Sequence, residues 1–339
     1  MTTDRVLGKV EKFLLTCEGL DRGVLVGVSG GADSICLAHA LFRLGSQGLF
    51  PKMLIAHVNH GLRGNESDSD HKFVEDFAAT LKSQNAVRVD YISTKVCSNL
   101  GQKGNLENIA RSHRYHFFSS QLVANAMNWV FTAHNQNDQV ETILMRLLRG
   151  ASLKGLGGIP LKRSLAESGW VGRPLLKVSR KSILKYLEAN NLAWREDSSN
   201  KSPRFLRNRV RNQMLPIMHE MIGNRFEKGL LGLSGAARKS FHQEEQLIKA
   251  LLPEIEKTRV GETLVLSPKV LALLSVPVRA SLLVYLWRRE GWAMDSMNSN
   301  RWRSVAHSMI QKGWSVDMPE GIRLENTGFT IVIGPKDRH

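Results

Sequence analysis

Between residues 24 and 148, short apolar runs alternate with longer amphipathic stretches, and this alternation constrains the fold more than any other feature. Val24–Val28, Met53–Val58 and Trp129–Ala133 are apolar-rich runs short enough to be single strands, and Val87–Ile92 reads as another strand. Ser34–Leu44, Asp68–Leu81, Asn105–Met127 and Gln136–Leu148 read as the helices that follow them. An apolar run without polar alternation is buried on both faces, as a parallel strand is. Strand–helix repetition with short links therefore predicts a doubly wound parallel α/β sheet of Rossmann-like type. Such sheets bind ligands at the carboxyl ends of their strands, so the residues just after each run carry the functional information.

The first run ends in Ser29-Gly30-Gly31-Ala32-Asp33-Ser34. Glycines let backbone N–H groups approach an anion, and the helix that follows adds its positive end, so the stretch reads as a phosphate cradle. The lysine of a Walker loop is missing. In its place stand two hydroxyls and a carboxylate. A carboxylate beside a phosphate makes chemical sense when a cation such as Mg²⁺ lies between them. Taken alone, the six residues also suit a plain tight turn in which Asp33 and Ser34 cap a helix.

The fourth run ends in "HNQNDQVET", where His134, Asp138 and Glu141 fall at i, i+4 and i+7 and share one helical face. Two carboxylates three residues apart can hold Mg²⁺ or an ammonium group; the plain alternative is a solvated face with His134 at the cap. The second run ends in "HVNHGLR", with His57, His60 and Arg63. No cysteine supports a zinc site there, and His60 and Arg63 suit nucleotide or RNA phosphate better. Arg111, in "NLENIAR", points toward the same strand ends or pairs with Glu107.

After Gly150 the alternation stops. Residues 151–228 contain 16 Lys and Arg against 6 Asp and Glu, which is most of the chain's net +16. That excess calls for an anionic partner, nucleic acid before others. Its densest run, "PRFLRNRVR", holds Arg204, Arg207, Arg209 and Arg211 with no acidic residue among them. Guanidinium forks suit phosphates, so this run is expected on RNA, not in the chemistry. Residues 216–258 read as a helical linker segment, and 259–339 as a small α+β domain ending in a hairpin. Cys17, Cys36 and Cys97 form no paired motif. No apolar run reaches membrane-spanning length and the N-terminus lacks a signal-like apolar core, so a cytoplasmic protein with no membrane partner is expected.

The six-residue loop resembles the PP-loop, SGGxDS, of the N-type ATP pyrophosphatases. With "AHVNHGLRGNESDSD" (56–70), "GNLENIARSHRY" (104–115), "TAHNQNDQVETILMRLLRG" (132–150), "RPLLKVSRKSILKYL" (173–187) and "WREDSSNKSPRFLRNRVRNQMLP" (194–216), the chain is similar to the tRNA(Ile)-lysidine synthetase family. The likeness runs from about residue 22 to residue 216, and the length fits the shorter form of that family. It implies a PP-loop catalytic domain over 1–215, with 151–215 as a tRNA-facing extension, and tRNA binding by the C-terminal domain. It implies ATP and Mg²⁺ as cofactors, and as partners free L-lysine and the isoleucine tRNA with a CAU anticodon; a homodimer is left open. ATP would activate C2 of the wobble cytidine and lysine would displace AMP, a carbon–nitrogen ligation. By the same resemblance Asp33, His134, Asp138 and Glu141 are catalytic, with Asp33 and Asp138 on the metal. Ser29, Gly30, Gly31, Ala32, Asp33, Ser34, His60, Arg63 and Arg111 would hold ATP. A tRNA thiolase of the same superfamily would need sulfur-carrying cysteines, often paired. A non-catalytic RNA-binding protein would have no use for Asp33, Asp138 and Glu141 together.

Overall fold

The computed structural model describes residues 2–59, 65–95, 106–151, 153–165, 169–196, 206–257, 259, 261–294 and 297–336. The chain divides into two compact units, Met1–Arg149 with Gly158–Leu231, and Gly150–Gly157 with Gly232–His339. The division falls inside the helix Arg225–Ile255. The sequence reading ended the catalytic segment at residue 215, where the motifs end; contacts and motifs mark different boundaries.

In the first unit, β1 (Val24–Gly27), β2 (Lys52–Asn59), β3 (Arg88–Lys95), β4 (Trp129–Phe131), β5 (Lys162–Ser164) and β6 (Trp170–Gly172) form one sheet in the order β3-β2-β1-β4-β6-β5. All neighbouring pairs are parallel except β5 with β6. Both faces are covered, which is why β1 is apolar throughout. Val24 and Val26 pack with the helices Thr2–Leu14, Ala32–Gly45 and Arg180–Ala189. Leu25 packs on the opposite face with Phe118 and Leu122 of helix Leu106–Ala124. Gly27 is part of this fit, since a Cβ there would stand 2.6 Å from Phe118 Cζ.

The sheet is wider than the sequence predicts. Alternation was expected to stop at Gly150, yet β5 and β6 extend the sheet beyond β4. Each has three residues, too few for periodicity to register. What holds β6 is tertiary: its backbone pairs with β4, and Trp170 stacks on Trp129 with ring centroids 5.9 Å apart.

The second unit has an antiparallel sheet of β7 (Leu264–Leu266), β8 (Ser315–Asp317), β9 (Ile322–Asn326) and β10 (Ile331–Pro335), in the order β7-β10-β9-β8. Its core gathers Leu264, Leu266, Trp287, Trp302, Leu324 and Ile333. The unit also contains the helices Pro268–Leu273 and Val276–Glu290 and, after them, a helix Ser299–Ser308. That last helix is polar apart from Trp302, Val305 and Ala306, which it buries. Its start is set by Asn298, whose side chain accepts the Arg301 N–H at 2.9 Å. Among the described residues no helix is long and apolar enough to cross a membrane.

Candidate active site

The strand order reverses at β1. From β1 the chain steps outward through β2 to β3, then returns to place β4 on β1's other side. The loops leaving β1 and β4 therefore diverge and open a crevice at the carboxyl end of the sheet.

One wall is the loop Ser29–Ser34. Gly30 has φ +88°, a conformation that an L side chain strains to adopt, and Gly31 caps the helix Ala32–Gly45. The two hydroxyls hold the loop's shape. Ser34 Oγ donates to the Gly31 carbonyl at 2.8 Å and accepts the Ser29 N–H at 3.2 Å, while Ser29 Oγ lies 3.3 Å from it. Ala32 is buried beneath the loop. From β2, the buried His57 donates through Nδ1 to the Val28 carbonyl at 2.9 Å. Burial holds its pKa below the ordinary histidine value, so it acts as a neutral strut. Among the described residues no group of three or more His, Cys, Asp or Glu could hold a metal ion. His60 and Arg63 lie outside the described residues.

Asp33 stands at the start of that helix and is only 28% exposed. Oδ2 pairs with Arg180 Nη1 at 2.5 Å, whereas Oδ1 is buried with no hydrogen bond of normal length, although the Asn135 side chain is near enough to lower the carboxyl pKa. Burial raises the carboxyl pKa, Arg180 opposes the rise, and the nearby Asp138 adds to it. A buried carboxylate oxygen with no close donor, beside a second carboxylate, is chemically suited to a hard cation. Mg²⁺, which takes few protein ligands and completes its shell with water and phosphate, fits Asp33 Oδ1.

The other wall is helix Gln136–Leu148. Asn135 caps it, accepting the Asn137 and Asp138 N–H groups at 2.8 and 3.1 Å, and Asp138 Oδ2 returns the bond to Asn135 N–H at 2.8 Å. This capping box fixes the Asp138 carboxylate at the crevice. One turn on, Glu141 is 1% exposed. His134 bonds through Nδ1 to Thr132 Oγ1 at 3.1 Å. Its pKa is pulled down to about 3 by burial and then by Arg173, Arg111, Arg207 and Arg114, so the ring is neutral at physiological pH.

The basic run lies against these acids. Arg207 Nε donates to Glu141 Oε2 at 2.7 Å, and its Nη2 to Asp138 Oδ1 at 2.7 Å. Arg211 Nε donates to Glu141 Oε1 at 2.6 Å, and its Nη2 to Glu141 Oε2 at 3.0 Å. The run was expected to face RNA because it contains no acid of its own; the acids come from 66 to 70 residues earlier in the chain. Apolar packing seats it. Val210, within a π-helical stretch Val210–Met214, packs with Leu215 and Leu230 on Val140, Ile143 and Leu144. Arg209 is exposed, and Arg204 lies outside the described residues.

Sequence reasoning missed several residues at the same strand ends. Arg180 was the unremarked middle of "VSRKS", and its N–H also donates to Asn137 Oδ1 at 3.0 Å. Arg173, straight after β6, is 1% exposed, and Arg163 lies on β5. The guanidinium carbons of Arg111 and Arg163 stand 4.9 and 4.6 Å from the Tyr115 ring centroid. Their only sequence signal was basic composition in the segment beyond Gly150, together with Arg111 itself.

Comparison with known proteins agrees with this fold. The PP-loop domain family matches residues 4–218. A tRNA(Ile)-lysidine synthase of Clostridium tetani is 35% identical over 256 residues, covering 71% of this chain and 52% of the relative. One of Solibacter usitatus is 44% identical over 193 residues, covering 57% and 40%. One of Geobacillus kaustophilus is 30% identical over 330 residues, covering 95% and 68%. The chain thus spans about half the length of the first two. Among solved structures, the U34-tRNA thiolase NcsA of Methanococcus maripaludis, determined with its 4Fe–4S cluster, superposes with a TM-score of 0.51 at 17% identity. That match covers 70% of this chain and 79% of the thiolase, a likeness of fold.

Proposed function

Because the chain belongs to the PP-loop family, and within it to the tRNA(Ile)-lysidine synthases, we propose that it joins free lysine to C2 of the wobble cytidine in the CAU-anticodon isoleucine tRNA at the expense of ATP. The observation that carries the reading is the meeting, at one strand-end crevice, of the Ser29–Ser34 loop, the half-satisfied Asp33 and the capped Asp138. The loop's N–H groups and hydroxyls receive the pyrophosphate end of ATP. The cytidine O2 attacks the α-phosphorus, and pyrophosphate leaves. The lysine ε-amine then attacks C2, and AMP departs with the former O2. Asp33 would hold a Mg²⁺ ion, which would supply charge to offset that of the phosphates. His134, neutral and hydrogen-bonded, orients without donating charge.

The amine has a pKa of about 10.4 and must lose a proton before it attacks. Asp138 is the better acceptor, because it is 16% exposed at the crevice and shares only Oδ1 with Arg207, whereas Glu141 is 1% exposed and accepts three hydrogen bonds from arginines. Glu141 instead positions Arg207 and Arg211. The thiolase alternative needs reactive thiolates. Cys17 is pushed up to about 11 and Cys36 is raised further, both chiefly by burial, which disfavours that chemistry. Cys97 lies outside the described residues.

The test is incubation of the chain with labelled lysine, ATP and this tRNA. Label, AMP and pyrophosphate should appear in equal amounts, with the label at the wobble position. AMP release without label in the tRNA would end the reading. Ornithine, one methylene shorter, should react about 100-fold more slowly, since a misplacement of ~1 Å costs that much; equal rates would mean that Asp138 does not set the amine's position.

A further inference from the structure

We propose that Arg111, Arg163 and Arg173, gathered around Tyr115, form a second anion site that takes a backbone phosphodiester of the RNA substrate, separate from the Ser29–Ser34 cradle. This rests on the reading of the chain as a tRNA-modifying enzyme. Arg111 and Arg163 stack on Tyr115 at 4.9 and 4.6 Å. Stacking uses the face of a guanidinium and leaves its edge N–H groups directed outward, the geometry that grips a phosphate. Beneath them Arg173 is 1% exposed. Its Nη1 donates to the Pro160 carbonyl at 2.8 Å, its guanidinium bonds the Tyr115 hydroxyl, and its Nε is buried without a partner.

Burial and the neighbouring Arg163 and Arg111 all disfavour the charge on Arg173. No described carboxylate pairs with any of the three arginines. Like charges gathered around a buried guanidinium are unfavourable until an anion joins them. The same positive field reaches His134 and, with burial, keeps it neutral.

The position separates this site from the cradle. The cradle follows β1 and Arg173 follows β6, two places along the order β1-β4-β6, roughly 10 Å away. One phosphate cannot touch both. Arg111 and Arg163 are exposed, so the site is open to a strand of RNA, and an arginine–aromatic pair is a combination that single-stranded nucleic acid favours. On this assignment Arg111 serves RNA and not ATP.

The experiment is a salt titration of CAU-anticodon tRNA binding to the full chain, for wild type, Arg163→Gln and Arg163→Lys, with ATP binding measured without tRNA. Arg163 is exposed, so its replacement leaves the fold intact. Arg163→Gln should weaken tRNA binding and flatten the log–log salt slope by ~0.7–0.9, the loss of one phosphate contact. Arg163→Lys should recover the slope but not the full affinity, because it keeps the charge without the fork. ATP binding should be unchanged in both. An unaltered slope overturns the proposal: with ATP binding lost the site belongs to the nucleotide, and with it kept the arginines only pack on Tyr115. Failure of the wild type to bind the tRNA would instead overturn the functional reading.

Discussion

Asp33→Asn is expected to lower the rate of AMP formation about 100-fold or more while leaving the melting temperature close to wild type. Oδ1 is the buried carboxylate oxygen of the crevice with no close donor. An amide there has no charge to hold a cation against the nucleotide's phosphates. The loss of such a contact, made most strongly as charge develops, costs ~3 kcal/mol of transition-state stabilisation. Stability should move little. Burial disfavours the Asp33 charge, so its removal relieves a penalty, while the Arg180 side chain it leaves is 39% exposed and can turn to water. The pH dependence follows from the same cause. The folded pKa is raised, so the burial penalty is present above it and is relieved as pH falls through it. In the metal-free protein Asp33 should therefore titrate above the usual carboxylate range. Single-turnover rates and thermal melts decide the matter; an asparagine variant with near-normal turnover would remove Asp33 from cation handling.

Glu141→Gln should instead act on the fold. Its carboxylate is 1% exposed and accepts three hydrogen bonds from Arg207 and Arg211. Removing one partner of a buried pair costs ~3–5 kcal/mol when the orphaned charge stays buried. Here the two arginines are 33% and 37% exposed and can rehydrate in part, so about 2 kcal/mol is expected. For a unit of this size that lowers the melting temperature by roughly 4–8 °C. Protection of backbone amides in Leu206–Ile222 should fall with it, because Val210 is seated by the same contact. An unchanged melting temperature with a raised KM for lysine would reverse the assignment, making Glu141 a substrate ligand and leaving the arginines free for RNA.

The local chemistry of the site was legible in the sequence. Ser29, Gly30, Gly31 and Ser34 are neighbours in the chain, and their loop is closed by hydrogen bonds spanning at most five residues. Helix periodicity likewise put Asp138 and Glu141 on one face, and the capping box that orients Asp138 lies within four residues. The apolar runs announced β1, β2 and β4 because burial on both faces leaves a nearly uninterrupted signature in such strands, whereas the edge strand β3 carries Arg88 and Asp90. Beside such local features, the acid–base partnerships of the crevice were illegible.

Sequence alone therefore determined the parallel α/β class, the Ser29–Ser34 loop at the end of β1 and the helical face that Asp138 and Glu141 share, since each is set by residues a few positions apart. Tertiary structure decided what those groups touch. Arg180 reaches Asp33 across 147 positions, and Arg207 and Arg211 reach Glu141 across 66 and 70. Arg111, Arg163 and Arg173 meet at Tyr115 only because β5 and β6 extend the sheet past β4. The physical reason is that a guanidinium on a long side chain pairs with whatever charge the strand order brings within reach, and strand order is a property of the whole sheet. A basic run without acids of its own reads as an RNA surface until the fold supplies the acids.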